Sequence, residues 1–149
     1  MLLRQDRVMV AMTVMLDIAF HGGRNATISA GEIAERIGLA RRGMEPLLQA
    51  LSRAGLLESV RGPRGGYRLG RPRRDIRLSD IADAALAEAG EGSEGPTGPL
   101  HGKVIGRLWS ELEAMLRARL AALTLDDLLK RAIAAGLRRP AGEPITFAI

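Results

Sequence analysis

Residues 59–74 read SVRGPRGGYRLGRPRR: six arginines, four glycines and two prolines, with only Val60, Tyr67 and Leu69 left to bury. LLESV (56–60) just before and YRL (67–69) within the stretch have short β character. Between them RGPRGG (61–66) can continue neither helix nor strand, because glycine favours turn geometry and proline lacks a backbone donor. The stretch is therefore expected to be a two-stranded hairpin with a basic tip. Alone, such a hairpin is equally an ordinary solvated turn, so its neighbours decide.

Upstream lies a pair of short helices. Ser29 with Glu32 three residues on is a capping box, Ile33 and Ile37 share a face, and Gly38 can supply a left-handed stop. After the break GLARRG (38–43), Met44, Leu47, Leu48 and Leu51 make a helical stripe that ends at Gly55. Two short helices across a Gly-containing turn, the second opening on Arg41 and Arg42, match a helix-turn-helix. A hairpin directly behind one is a wing. At its tip Arg61 and Arg64 supply charge, Gly62, Gly65 and Gly66 let the backbone approach sugar and phosphate closely, and Pro63 stiffens the tip.

Charge and composition agree with that reading. Residues 1–77 hold 14 Arg against 7 acids, net +7, whereas residues 78–149 hold 8 basic residues against 10 acids, net −2. The first half should meet a polyanion. Only Lys103 and Lys130 among the basic residues are lysine, which fits selection for bidentate contacts or a GC-rich coding bias equally well. Phe20, Tyr67, Trp109 and Phe147 are the only aromatic residues, so the core must come from aliphatic side chains at helical spacing. A chain of 149 residues suits one compact domain, or a small domain plus an appended arm.

Several classes drop out. With no cysteine, disulfides, thiolate metal sites and cysteine nucleophiles are excluded. The apolar run Val8–Phe20 is interrupted by Asp17, is too short to span a bilayer and has no cleavage site behind it, so a cytoplasmic protein without a membrane segment is expected. His21 and His101 are isolated, no carboxylate pair is enforced by spacing and no phosphate-cradling motif follows a strand, so no enzyme is expected. His101 with Glu91 and Glu94 reads as a solvated loop rather than a metal site.

The rest of the chain reads as helices. Asp6–Phe20 is apolar on nearly every side, with Asp6 as N-cap and Gly22-Gly23 as stop. Leu78–Ala87 starts on Ser79 as N-cap with Asp80 in the first turn, and buries Ile81, Ala84 or Ala85, and Leu86. GEGSEGPTGP (90–99) reads as a flexible loop between a DNA-binding unit (1–89) and a dimerisation helix with a final helix (100–149). Leu100–Leu123 is expected to form one long helix with two apolar seams, Val104, Leu108, Leu112 and Met115 on one, and Trp109, Leu112, Leu116, Leu120 and Leu123 on the next. So wide a stripe serves two neighbours, one of which can be a second chain. Thr124 caps the last helix, Asp126 and Asp127 sit at its positive end, and Gly136 closes it; Ile145, Phe147 and Ile149 of the tail are expected to dock on a surface.

IAERIGL (33–39), MEPLLQALSRAGLLESVRGPRGGYRLGRP (44–72), IRLSDI (76–81), the LW of Leu108-Trp109 and LTLDDLL (123–129) together resemble the Rrf-type winged helix-turn-helix transcriptional regulators, the family of iron-sulfur cluster, nitric-oxide and cysteine-metabolism regulators. The resemblance spans nearly the whole chain, and VRGPRGGYRL is its most specific part. It implies a mainly α fold and a homodimer, paired through the long helix by Val104, Leu108, Trp109, Leu112, Met115 and Leu116, that reads a palindromic operator in double-stranded DNA. It further implies base contacts from Arg41, Arg42 and Glu45, minor-groove contacts from Arg61, Gly62 and Pro63, and a phosphate contact from Arg7.

Two departures stand out. The best-known members carry three cysteines before the long helix and often a histidine just before LW; this loop has none and the matching position is Gly106, so no cluster or other cofactor is expected. Signal input is then left to an unidentified small-molecule effector, a partner protein, or nothing. Gly43 and Pro46 fall in the recognition helix. If that helix starts before Gly43, Pro46 deprives the Arg42 carbonyl of its donor; if it starts near Gly43, Pro46 costs little but Arg41 and Arg42 shift against the groove. A winged-helix interaction module that binds an acidic protein is the alternative to a repressor-like regulator.

Overall fold

The segment that is apolar on almost every side becomes α1 (Gln5–His21), where Ala11, Val14, Met15, Ile18 and Ala19 are buried by the helices around it. The structure, a computed structural model, describes residues 5–22, 26–89 and 95–139. Asp6 is not the N-cap: helix already includes Gln5, so Asp6 lies in the first turn, where its charge still meets the positive helix end. Asp17, the interruption in the apolar run, has a partner that sequence spacing did not reveal. Its carboxylate accepts two hydrogen bonds, 2.9 Å each, from the Arg36 guanidinium of α2 (Ala30–Ile37). A bidentate pair of this kind makes a largely buried carboxylate tolerable.

The expected capping box is present. The Ser29 hydroxyl accepts from the Glu32 N–H at 3.1 Å and the Glu32 carboxylate accepts from the Ser29 N–H at 3.2 Å. Of the two starts left open for the next helix, the earlier one is observed: α3 (Arg41–Arg53) contains Pro46 in its interior. Arg42 and Pro46 are both exposed, so the carbonyl deprived of its donor sits on the solvated face. α3 buries Met44, Leu47, Leu48 and Leu51 and closes at Gly55, whose φ of 76° suits glycine. There the Leu56 N–H reaches back to the Leu51 carbonyl at 3.0 Å, and both side chains enter the core.

The wing follows as β1 (Leu57–Val60) and β2 (Gly66–Leu69), antiparallel, with Glu58 opposite Arg68 and Ser59 opposite Tyr67. It is more than a hairpin, because Ile28 and Tyr67 exchange both backbone hydrogen bonds, each 2.8 Å, so the segment leading into α2 pairs with β2. A short 3-10 turn (Arg73–Asp75) leads to α4 (Leu78–Ala89). The architecture is thus mainly helical with one two-stranded antiparallel sheet.

The second half is built onto the same core. Chain crossings at 76–78 and 123–125 pair in extended form: the Leu78 N–H donates to the Leu123 carbonyl and the Leu125 N–H to the Ile76 carbonyl, both at 2.9 Å. That pairing fixes where α4 can begin, so Ser79 lies within its first turn instead of capping it, and Asp80 accepts from the Arg77 N–H at 3.0 Å. Ile81, Ala82, Ala84 and Ala85 are all buried. The long helix runs from residue 99, passing through a wider π turn (His101–Ile105) into α5 (Gly106–Ala122). Leu120 of α5 and Leu125 of α6 (Leu125–Ala134) join the buried cluster of Ile18, Ile33, Leu48 and Ile81. Beyond α6 the Arg139 guanidinium donates to the Ala19 and Phe20 carbonyls at 3.1 and 3.4 Å, filling acceptors at the end of α1. Ile145, Phe147 and Ile149 lie outside the described residues. Among the described residues no helix is long and apolar enough to cross a membrane.

Two stability predictions follow from this framework. A Cβ added at Gly43 meets nothing within 4 Å, so Gly43→Ala should stabilise the free protein by about 0.5–1 kcal/mol in urea unfolding. Asp126 accepts from the Arg73 guanidinium at 2.8 Å and pairs with Lys130 at 3.3 Å; Arg73 first, then Lys130, holds its carboxyl below the ordinary value of 3.8. The unfolded chain binds that proton more readily, so the contribution is present above pH 3.8 and lost as pH falls below it. The gap in urea midpoint between wild type and Asp126→Asn should therefore be widest near neutral pH and close in acid.

Candidate nucleic-acid interface

α3 presents one apolar face to the core and leaves Arg41, Arg42, Glu45, Pro46 and Gln49 exposed on the other. Arg41 Nε lies 3.7 Å from Glu45 Oε1, one helical turn on, with both side chains more than half exposed. A pair so open to water is weak and can exchange partners with little loss. Arg42 has no acidic partner among the described residues. Gln49 is the residue that sequence reasoning missed. The signal was available, since positions 42, 45 and 49 are spaced three and four apart, opposite the buried stripe at 44, 47, 48 and 51.

The wing tip is a four-residue turn, closed by the Gly65 N–H on the Gly62 carbonyl at 2.9 Å, with Pro63 and Arg64 at its two central positions. Proline favours the first of these because its φ is already set. Gly65 is required by close approach: a Cβ there would come within 2.5 Å of the Val60 carbonyl. Arg61 and Arg64 are exposed and have no acidic partner among the described residues. Arg68, on the same hairpin, is different. It donates to both Glu58 carboxylate oxygens across the strands, at 2.9 and 3.2 Å, and holds the Glu58 carboxyl below its ordinary value. The charge of the wing therefore lies at its tip and not along its strands.

Arg7 has a competing role. Its guanidinium lies 2.8 Å from the largely buried carboxylate of Glu88 on α4, so a phosphate would have to draw it from that partner. Sequence could not show this, because the two residues come from distant elements. Arg7 also lines, with Val10, Leu39, Gly43, Met44 and Leu47, a groove of about 320 Å³ between α1 and the start of α3.

The residues proposed for pairing lie on the long helix, Val104 in its π turn and the others on α5. Val104, Leu108, Trp109, Leu112 and Met115 are exposed, Met115 at 70%, while Leu116 is partly buried against the chain's own core. The long helix thus divides its two seams: its C-terminal turns pack at home and its N-terminal turns leave an apolar face uncovered.

The donor set for a metal is poor. The chain has no cysteine and two histidines, and among the described residues no group of three or more His, Asp or Glu could hold an ion.

Comparison with known proteins places these features in a family. The Rrf2 family, described as iron-dependent transcriptional regulators, matches residues 4–131. The HTH-type transcriptional regulator IscR of Vibrio atlanticus is 33% identical over 123 residues, covering 80% of this chain and 70% of the relative. IscR of Cereibacter sphaeroides is 35% identical over 127 residues, covering 80% and 82%. Among solved structures, T. potens IscR superposes with a TM-score of 0.70 at 34% identity over 90% of each chain. CymR, the global cysteine regulator of B. subtilis, gives 0.64 at 26% identity, covering 84% of this chain and 94% of its own. With its winged helix-turn-helix and this extent of match, the chain belongs to the Rrf2 family of DNA-binding transcriptional regulators, and not to an enzyme family.

Proposed function

We propose that the protein is a homodimeric, sequence-specific repressor that binds a palindromic operator without an iron-sulfur cluster. The observation that carries the reading is the charge pattern of the wing: Arg61 and Arg64 at the tip stand without acidic partners, whereas Arg68 on the strand is neutralised by Glu58. Unpaired arginines on a glycine-rich tip suit a phosphate backbone or a narrow minor groove. Arg41, Arg42 and Glu45, with Gln49 beside them, are the proposed base-reading face, and Gly62, Pro63 and Gly65 allow the wing backbone to come close. Arg7 is retained only as a phosphate contact made at the expense of Glu88.

Dimerisation through Val104, Leu108, Trp109, Leu112, Met115 and Leu116 is supported by the uncovered apolar face of the long helix. An exposed stripe of that size on a helix is the kind of surface that a second copy buries. Two-fold pairing presents two wings and two recognition helices, which is why the operator is expected to be palindromic. In this organisation residues 1–89 bind DNA, while residues 100–149 supply the dimer contact and close the core. Occupancy by such a dimer suffices to exclude polymerase from an overlapping promoter, which favours repression as the output, in the cytoplasm where the DNA is.

The family's description as iron-dependent does not carry over to a thiolate-held cluster here. Such a cluster needs cysteine ligands, and the chain has none. Signal input is left to an unidentified small-molecule effector, to a partner protein, or to nothing at all.

Selection of bound duplexes from a random pool with metal-free protein should recover a palindrome; recovery of no motif would mean that DNA binding needs an unidentified ligand or that the wing serves a protein partner instead. Arg61→Ala and Arg64→Ala should each weaken binding on every duplex and lower the slope of log affinity against log salt by about 1. Arg68→Ala should leave that slope unchanged, and Arg42→Ala should also relax base preference. For the dimer, Leu112→Glu should shift the protein to a monomer in sedimentation equilibrium and cost operator affinity far more than affinity for a single half-site.

A further inference from the structure

Thr27 stands two residues ahead of the α2 N-cap and takes no part in that cap. Its hydroxyl instead donates to the Arg64 carbonyl at the wing tip, 2.6 Å away. Beside it, the two backbone hydrogen bonds between Ile28 and Tyr67 zip the same segment to β2. Gly66 makes the approach possible, since a Cβ there would fall 2.5 Å from the Ile28 carbonyl. The backbone of Arg64 is therefore held twice, within the tip by the Gly62–Gly65 closure and from outside by Thr27.

We propose that Thr27 is a positioning residue for DNA binding, latching the wing tip to the entrance of the helix-turn-helix so that Arg61 and Arg64 are preset before DNA arrives. This rests on the reading of the wing tip as a DNA contact. Strands of four residues each make a hairpin that is marginal in water on its own. An arginine on a loose tip must be ordered at the moment of binding, and that ordering opposes affinity. A latch removes most of that cost in advance. Because the Thr27 hydroxyl donates its proton to protein backbone, the latch contributes equally on every sequence. Because it acts through the tip, its contribution disappears once the tip arginines are gone.

The test measures binding of a labelled mixed-sequence duplex at low salt, where phosphate contacts dominate. Thr27→Val removes the hydroxyl at nearly constant shape, and Thr27→Ser keeps it. Both are made in the wild type and in an Arg61→Ala/Arg64→Ala background. The latch predicts a loss of about three- to tenfold for Thr27→Val, the scale of one lost hydrogen bond. Thr27→Ser should stay within about twofold of wild type, and Thr27→Val should add no loss in the background lacking both arginines. In the free protein, Thr27→Val should also speed hydrogen exchange at the Gly65 amide while leaving amides of α1 and α4 unchanged. Wild-type affinity in Thr27→Val, or the same loss in both backgrounds as misfolding would produce, overturns the latch. If Arg61→Ala/Arg64→Ala by itself binds as tightly as wild type, the reading of the wing tip fails first and takes the latch with it.

Discussion

The pair of backbone hydrogen bonds between Ile28 and Tyr67 ties the wing to the helix-turn-helix, and the proposed interface depends on it. Without it the wing would be four residues of strand on each side of a glycine-rich tip, with little apolar surface to hold it. With it, β2 is flanked on both edges near Tyr67, by β1 and by the segment that enters α2. The Tyr67 side chain then packs against the core, and the Ser29 capping box fixes the helix that starts immediately after. The exchange needs two backbones at contact distance, which the bare Cα of Gly66 permits.

On this scaffold, charge is sorted by position. Arg36 is consumed by Asp17, Arg68 by Glu58 and Arg73 by Asp126, each through short hydrogen bonds that orient the guanidinium. Those arginines fasten elements to one another. Arg42, Arg61 and Arg64 are left to the surface without acidic neighbours among the described residues. Unpaired positive charge therefore stands at the start of α3 and at the wing tip, the two features that a helix-turn-helix with a wing brings to a duplex, and also at the exposed Arg53, Arg71 and Arg74.

The second half serves two ends with one helix. Leu116 and Leu120 face the chain's own core, and the crossing of 76–78 with 123–125 locks α4 and α6 to it. The earlier turns of the long helix keep Val104, Leu108 and Leu112 in water. Apolar side chains in a row are costly to leave uncovered, which is the physical ground for the proposed second copy.

Much of this could be read from local sequence. Capping boxes at Ser29 and Thr124, the glycine stops at 38, 55 and 136, the stripe of α3 and the turn at Pro63 all depend on residues within a few positions of one another. Short-range patterns of hydrogen bonding and periodicity determine such features, so the winged helix-turn-helix and its basic tip were legible. What escaped the sequence depends on partners far along the chain. Asp17 meets Arg36, Arg7 meets Glu88, Thr27 meets Arg64, and α4 starts at Leu78 because residues 123–125 lie alongside. No spacing rule pairs such residues, because their distance is set by how helices pack and not by how many residues separate them. Local chemistry therefore determined which elements form and where the charge is available, and the tertiary structure alone decided which arginines are already spent and what holds the wing in place.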